Sequence, residues 1–271
     1  MSLEHSDISR MLEVAAVAAR LAGQKAMEEI KYVKSTVKND VELVTGADPI
    51  CQQLIINRIK ETYPDHGFIA EESTNGEMLI QPPRTVQQIW WVIDPIDGTN
   101  NYAHGLLCFT VSIAAIYEGK PIVGVIFEPA TDSMFTTVKD TDAQLNASRI
   151  TVNDEEINKY CSFGVDSHFT PNYSNAINEI MKLTRFRNLG STALHLAYVA
   201  KGSFSGSMIT LAKLWDIAAG ALLIENAGGI ITDITGNNIF PVDMQNYTGQ
   251  NYQVLAANKK THSEFLKIFK T

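Results

Sequence analysis

The stretch "WWVIDPIDGTNNYAH", Trp90 to His104, constrains this chain more than any other. Its apolar part, Ile89–Ile93, has the length and bulk of a buried strand. The strand is expected to stop at Asp94-Pro95-Ile96-Asp97-Gly98-Thr99, which leaves two carboxylates three residues apart at the edge of a core. Like charges that close destabilise each other unless something cationic lies between them. A lone Asp-Gly would read as a turn. Here Gly98-Thr99-Asn100 can open a helix, and a strand-to-helix turn offers backbone N–H groups to an anion. Carboxylates clustered at the same point bind a hard cation such as magnesium. Cation and helix start together describe a phosphate site.

The 271 residues, 45% of them hydrophobic, suffice for one large domain or two intimately packed halves. A formal net charge of -8 argues against a general nucleic-acid binder, which needs a basic footprint. Cys51, Cys108 and Cys161 are widely spaced, odd in number and without zinc spacing, so free thiols in a reducing compartment are expected. The first residues lack the basic and apolar regions of a signal peptide, and no apolar run approaches membrane-spanning length. The expectation is a cytoplasmic protein that does not enter membranes.

Helical spacing of Met11, Val14, Ala15, Ala18 and Leu21 predicts a helix over about Ile8–Ile30. A second is predicted over Pro49–Thr62, with Asp48 as N-cap and Pro49 at the first helical position. Short strands are predicted at Phe68–Ala70, Phe109–Tyr117, Ile122–Phe127 and Met134–Val138, with "EGKP" as a hairpin link. After Ile150 strands (Ser162–Val165, Arg185–Asn188) alternate with helices (Tyr173–Leu183, Thr192–Ala200, Trp215–Asn226), the last stopped by Gly228-Gly229. The predicted organisation is an α+β half, residues 1–145, and an α/β half, residues 146–271, that completes the site.

Most candidate residues have an ordinary explanation when taken singly. Glu71 and Glu72 read as solvated loop acids unless the fold brings one beside Asp94. Asp216 in a first turn meets the positive end of a helix dipole. Thr99 reads as a cap, Lys38 as a surface lysine, and His104 and His195 as structural histidines.

Taken together, "GFIAEES", "WVIDPIDGTNNYAH", "VSIAAIYEGKPIVGVIFEP" and "LWDIAAGALLIENAGGIITD" resemble the inositol monophosphatase family of magnesium-dependent, lithium-sensitive sugar phosphatases. The resemblance runs from about Lys38 to Asp233. It implies a layered αβαβα sandwich and a homodimer. It also implies that Glu71, Asp94 and the Ile96 carbonyl hold one magnesium, that Asp94, Asp97 and Asp216 hold another, and that a third, weaker ion binds near Glu71. In such a family Thr99 and Asp48 help activate the attacking water, and Glu71 belongs to the catalytic set. Lys38 matches a lysine of a loop near the metals. Asp97, Gly98, Thr99, Gly190, Ser191, Thr192, Ile209 and Asp216 fall at substrate-facing positions.

Three departures bear on the substrate. Ile209 stands where a glutamate usually meets inositol hydroxyls, Thr192 replaces a usual alanine, and "KDTDAQLN" replaces a glycine-rich turn. Phosphatase chemistry reads as complete and inositol recognition as altered. Fructose 1,6-bisphosphate, histidinol phosphate and 3'-phosphoadenosine 5'-phosphate are alternative substrates. A regulatory binding protein on the same scaffold is the alternative of another class.

Overall fold

The computed structural model describes residues 3–38, 42–73, 78–167 and 171–269; at 36–38, 42 and 171 it describes backbone alone. Two strands, β1 (Ser35–Lys38) and β2 (Glu42–Thr45), form a small antiparallel hairpin. An eight-stranded sheet follows. Its strands in chain order are β3 (Gly67–Ala70), β4 (Leu79–Gln81), β5 (Trp90–Asp97), β6 (Thr110–Tyr117), β7 (Lys120–Glu128), β8 (Ser133–Val138), β9 (Gln144–Leu145) and β10 (Ser148–Arg149). Their spatial order is β10-β9-β8-β7-β6-β5-β3-β4. A second sheet of β11 (Ser162–Val165), β12 (Arg185–Arg187), β13 (Gly206–Ala212), β14 (Ile230–Asp233) and β15 (Tyr252–Ala257) has the order β12-β11-β13-β15-β14.

Strand alternation sorts the core into layers. Trp91 and Ile93 of β5 face α1 (His5–Glu29) and α2 (Ala47–Lys60). Trp90 and Val92 face the opposite way, towards α5 (Thr192–Ala200) and α6 (Leu214–Asn226), which fill the space between the sheets. Phe163, Val165, Met208 and Leu255 line the far face of the second sheet under α4 (Ser174–Leu183) and α7 (His262–Phe269). The short α3 (Thr99–Ala103) follows β5. The result is the expected five-layer αβαβα sandwich.

Two local expectations are corrected. The apolar run does not end its strand at Asp94: β5 continues to Asp97, with a register shift between Asp94 and Asp97 where its pairing to β6 slips. Burial of both acids permits this, so the charges sit inside a bulged strand and not beyond it. Asp48 does not cap α2. The helix begins at Ala47, and the Asp48 carboxylate turns back to accept the Thr45 N–H at 2.9 Å and the Thr45 hydroxyl at 2.6 Å.

Other elements match closely. Glu118 and Gly119 both take positive φ in the tight β6–β7 turn, as a two-residue hairpin loop requires. Helix α6 stops with the Gly228 N–H on the Glu225 carbonyl and the Gly229 N–H on the Ile224 carbonyl. All three cysteines are free. Among the described residues no helix is long and apolar enough to cross a membrane.

Candidate active site

The bulge of β5 builds the floor of the site. Asp94 lies opposite Ser112 of β6, and Asp97 opposite Thr110. The Ser112 hydroxyl donates to the Trp215 carbonyl at 2.9 Å, which pins the start of α6 to the sheet. Asp216, the next residue, sits in the first turn of α6 and accepts the Lys213 N–H at 2.7 Å. Oxygens of Asp94, Asp97 and Asp216 thereby come within 4.8 Å of one another. Glu71 joins them from the loop after β3. Its N–H donates to the Ile93 carbonyl at 3.2 Å, and its carboxyl hydrogen-bonds Asp94. The Gln52 side-chain amide clamps the neighbouring Glu72 peptide, accepting its N–H at 2.9 Å and donating to its carbonyl.

The electrostatics follow from this crowding. Burial, and after it the charges of Glu71, Asp97 and Asp216, push Asp94 well above the usual carboxylate range. Burial also raises Asp97, although four donors oppose it. They are the Ser191 hydroxyl, the Ala193 N–H at 2.7 Å, the Thr192 N–H at 3.2 Å and the Thr110 hydroxyl at 3.3 Å. Asp97 thus sits on the first turn of α5, where backbone N–H groups lack helical partners. The donor set is all oxygen, buried and crowded with negative charge, which fits a hard divalent cation and needs one to be ionised in full.

Around this cluster, Gly98 takes φ +98, and a Cβ there would approach the Cys108 carbonyl to 3.0 Å. Glycine therefore permits the turn that follows the bulge. The Thr99 hydroxyl lies 3.0 Å from the Ile96 carbonyl and 3.4 Å from Asp48 Oδ1. Burial pushes Asp48 up to about 6, against its two bonds from Thr45.

Asp48, Glu71, Asp94, Ile96, Asp97, Gly98, Thr99 and Asp216 are thus gathered at one place, and Gly190, Ser191 and Thr192 border it through their contacts with Asp97. Ser191 is itself buried, capping α5 by accepting the Leu194 N–H at 3.2 Å. Ile209 is not brought to an accessible wall. It is fully buried in the layer between the sheets, paired with Val254 of β15, while Leu211 two residues on is 48% exposed. The Lys38 side chain lies outside the described residues. Sequence reasoning missed Thr110, Ala193, Thr45 and Gln52. The three-residue spacing of Thr45 and Asp48 was a usable signal; the others act through backbone or across strands, where no local pattern marks them.

Comparison with known proteins fits this geometry. The sequence profile of the inositol monophosphatase family matches residues 7–271. The Nus factor SuhB of Escherichia coli strain K12 is 37% identical over 238 residues, covering 84% of this chain and 86% of that protein. The crystal structure of extragenic suppressor protein suhB from Bartonella henselae superposes with a TM-score of 0.87 at 28% identity, over 97% of this chain and 99% of that one. An IMPase from Thermotoga maritima gives a TM-score of 0.83 at 28% identity, over 96% and 97% of the two chains. The chain belongs to the inositol monophosphatase family.

Proposed function

We propose that this chain is a magnesium-dependent phosphomonoesterase acting on small phosphorylated substrates. The observation that carries the reading is the buried cluster of Asp94, Asp97 and Asp216, joined by Glu71. Glu71, Asp94 and the Ile96 carbonyl would hold one Mg2+, and Asp94, Asp97 and Asp216 a second. A third, weaker ion would bind near Glu71. Bound magnesium supplies positive charge to the phosphoryl and leaving oxygens and makes water more acidic.

The chain's own residues then handle orientation and the proton. Gly98 and Thr99 N–H groups hold phosphoryl oxygens. The Thr99 hydroxyl takes the proton of the attacking water as its own proton moves to Asp48 Oδ1, which closes the present 3.4 Å gap. An acid raised to about 6 is matched to accept a proton near neutral pH. The water oxygen attacks phosphorus, the ester P–O bond breaks, and the leaving alkoxide takes a proton from solvent water while Asp48 returns its own to solvent. The acids are committed as ligands, so no phosphoenzyme is expected. Residues 1–145 and 146–271 act as one catalytic unit, since β5 and the starts of α5 and α6 all supply the site. Lys38 is assigned a place beside it.

The test is phosphate release from sugar, inositol and nucleotide phosphates with Mg2+ and with excess chelator. Turnover undiminished by chelator refutes the reading. Inhibition by lithium and calcium is expected. Thr99→Ala should lower kcat by about 100-fold or more with metal affinity within about twofold; full kcat would remove Thr99 from the relay. We also infer a homodimer in the cytoplasm, to be checked by light scattering and by fractionation.

A second reading draws on the 37% identity to a protein named a Nus factor. It makes this chain a regulatory binding protein. The acid cluster favours catalysis, and absence of phosphate release from every ester would favour regulation.

A further inference from the structure

His195 takes no part in the chemistry above, yet its surroundings are specific. It lies on α5 one turn after Ser191 and is 1% exposed. Its Nε2 accepts the Leu189 N–H at 2.9 Å. A neutral imidazole that accepts at Nε2 carries its proton on Nδ1. That Nδ1 has no hydrogen-bond partner among the described residues, and the Phe204 ring packs near the imidazole, with centroids 5.9 Å apart. Burial pushes the imidazole down to about 4, which keeps the ring neutral and Nε2 free to accept. A buried donor without a partner is unfavourable. The side chain therefore exists here for its acceptor, aimed at one peptide.

That peptide begins the segment that grips Asp97. The Leu189 carbonyl accepts Asn101 Nδ2 at 2.7 Å, and the same amide donates to the Cys108 carbonyl at 2.6 Å. Gly190 follows at φ +69, where a Cβ would approach Asn101 Nδ2 to 2.6 Å. Its N–H donates to Asn188 Oδ1 at 2.9 Å. Directly after it come three of the four donors on Asp97: the Ser191 hydroxyl and the Thr192 and Ala193 N–H groups. An aliphatic side chain at 195 would leave the part-buried Leu189 N–H without its acceptor. The segment would have to move to hydrate it, and the Asp97 donors would move with it.

We propose that His195 is a positioning residue that, by accepting the Leu189 N–H, fixes the 188–193 segment and through it the orientation of Asp97 towards a divalent cation. The consequence for the cation rests on the metal-site reading above; the clamp on the segment does not.

The test uses His195→Leu, which removes the acceptor at similar volume, and His195→Gln, whose side-chain oxygen can reach the place of Nε2. Amide exchange over 188–193 is followed in chelator, and Mn2+ binding by calorimetry. In His195→Leu, exchange at Leu189, Thr192 and Ala193 should quicken at least about tenfold. Half-saturation by Mn2+ should rise about tenfold, the low end for an outer-shell loss. His195→Gln should stay within about threefold of wild type in both readouts, since it restores the acceptor. If His195→Leu does not fold, His195→Asn replaces it, because its shorter amide cannot reach the Leu189 N–H. Wild-type exchange and Mn2+ affinity in the acceptor-less variant would overturn the proposal. So would a His195→Gln protein as impaired as His195→Leu, which would make the role one of packing. A wild type that binds no Mn2+ would instead sink the metal-site reading, and the exchange arm would still decide the clamp.

Discussion

Asp94 and Asp97 stand three residues apart on one strand, both buried, yet their surroundings are opposite. Asp97 accepts from four donors, three of them at the start of α5. Asp94 accepts the Ile96 N–H at 3.0 Å, and the leading charges around it, Glu71, Asp97 and Asp216, are all negative. The protein offsets part of the burial cost of Asp97 by itself and leaves Asp94 to be compensated by something else. Asp97 should therefore contribute to folding as well as to metal binding, and Asp94 to metal binding alone.

The largest expected effect sits at Asp94, because it alone would serve two ions. Asp94→Asn should lower kcat/KM on an aryl phosphate by more than about a hundredfold, beyond what outer-shell losses cost. In chelator the same protein should unfold at a temperature equal to or above wild type, since one of several crowded charges is gone. A metal-free protein clearly less stable than wild type would break the contrast with Asp97.

Asp48 sharpens the comparison from a third position. It too is buried and accepts two bonds from Thr45 and a longer one, at 3.4 Å, from the Thr99 hydroxyl, but burial still raises it from 3.8 to about 6. A raised carboxylate contributes stability that is full below about 3.8 and is lost as pH rises through about 6, about 3 kcal/mol in all. The unfolding free energy of wild type in chelator, relative to Asp48→Asn, should therefore fall by about 2 kcal/mol between pH 4 and pH 7. His66 and His195, both pushed down to about 4 by burial, titrate across part of this range in both proteins and cancel in the difference. A flat difference would mean that the two Thr45 bonds suffice and that Asp48 is no base near neutral pH.

Much of this site was legible in the chain, and for a physical reason. Acid pairs, Gly98 and the Trp-Asp start of α6 are local patterns, and local chemistry fixes what they can do. The layered architecture was legible through periodicity and through likeness to a known family. What could not be read was anything created by pairing across distance. Charges look like the end of a strand, so the bulge that carries β5 to Asp97 was invisible until β6 was in place beside it. Ser191 and Thr192 were expected to face substrate from the family resemblance, and their hold on Asp97, more than ninety residues away, could not be read from either stretch. Ile209 was expected on a pocket wall because spacing from Asp216 was counted along the chain. The register shift between Ile209 and Ala212 instead leaves Ile209 in the core and Leu211 outside.

Asp97→Asn tests the other side of the contrast. The amide keeps one oxygen for the α5 donors but turns an NH2 group towards the rest. Metal-free unfolding should become easier by about 1.5–3 kcal/mol, the range for hydrogen bonds to a charged group. Equal stability with wild type would mean that burial cost and hydrogen bonding already cancel at Asp97, and that it differs little from Asp94.

The smallest expected effect separates redundancy from dependence. Thr110 is fully buried, and its hydroxyl lies 3.3 Å from Asp97 Oδ2 and 3.5 Å from Ser191 Oγ. It is the longest of the four contacts on Asp97, and the side chain is close in shape to valine. Thr110→Val removes that donor without opening a cavity, and Ala193, Thr192 and Ser191 remain to hold the carboxylate. The net loss of one such bond is about 0.5–1.5 kcal/mol, and the length of this contact places it at the low end. Metal-free unfolding should therefore shift by about 0.5 kcal/mol and Mn2+ half-saturation by less than about threefold. A tenfold or larger loss of Mn2+ affinity would show that the α5 donors do not pin Asp97 unaided. The compensation of Asp97 would then depend on β6 as much as on α5, and the same mutation should speed amide exchange at Thr192 and Ala193.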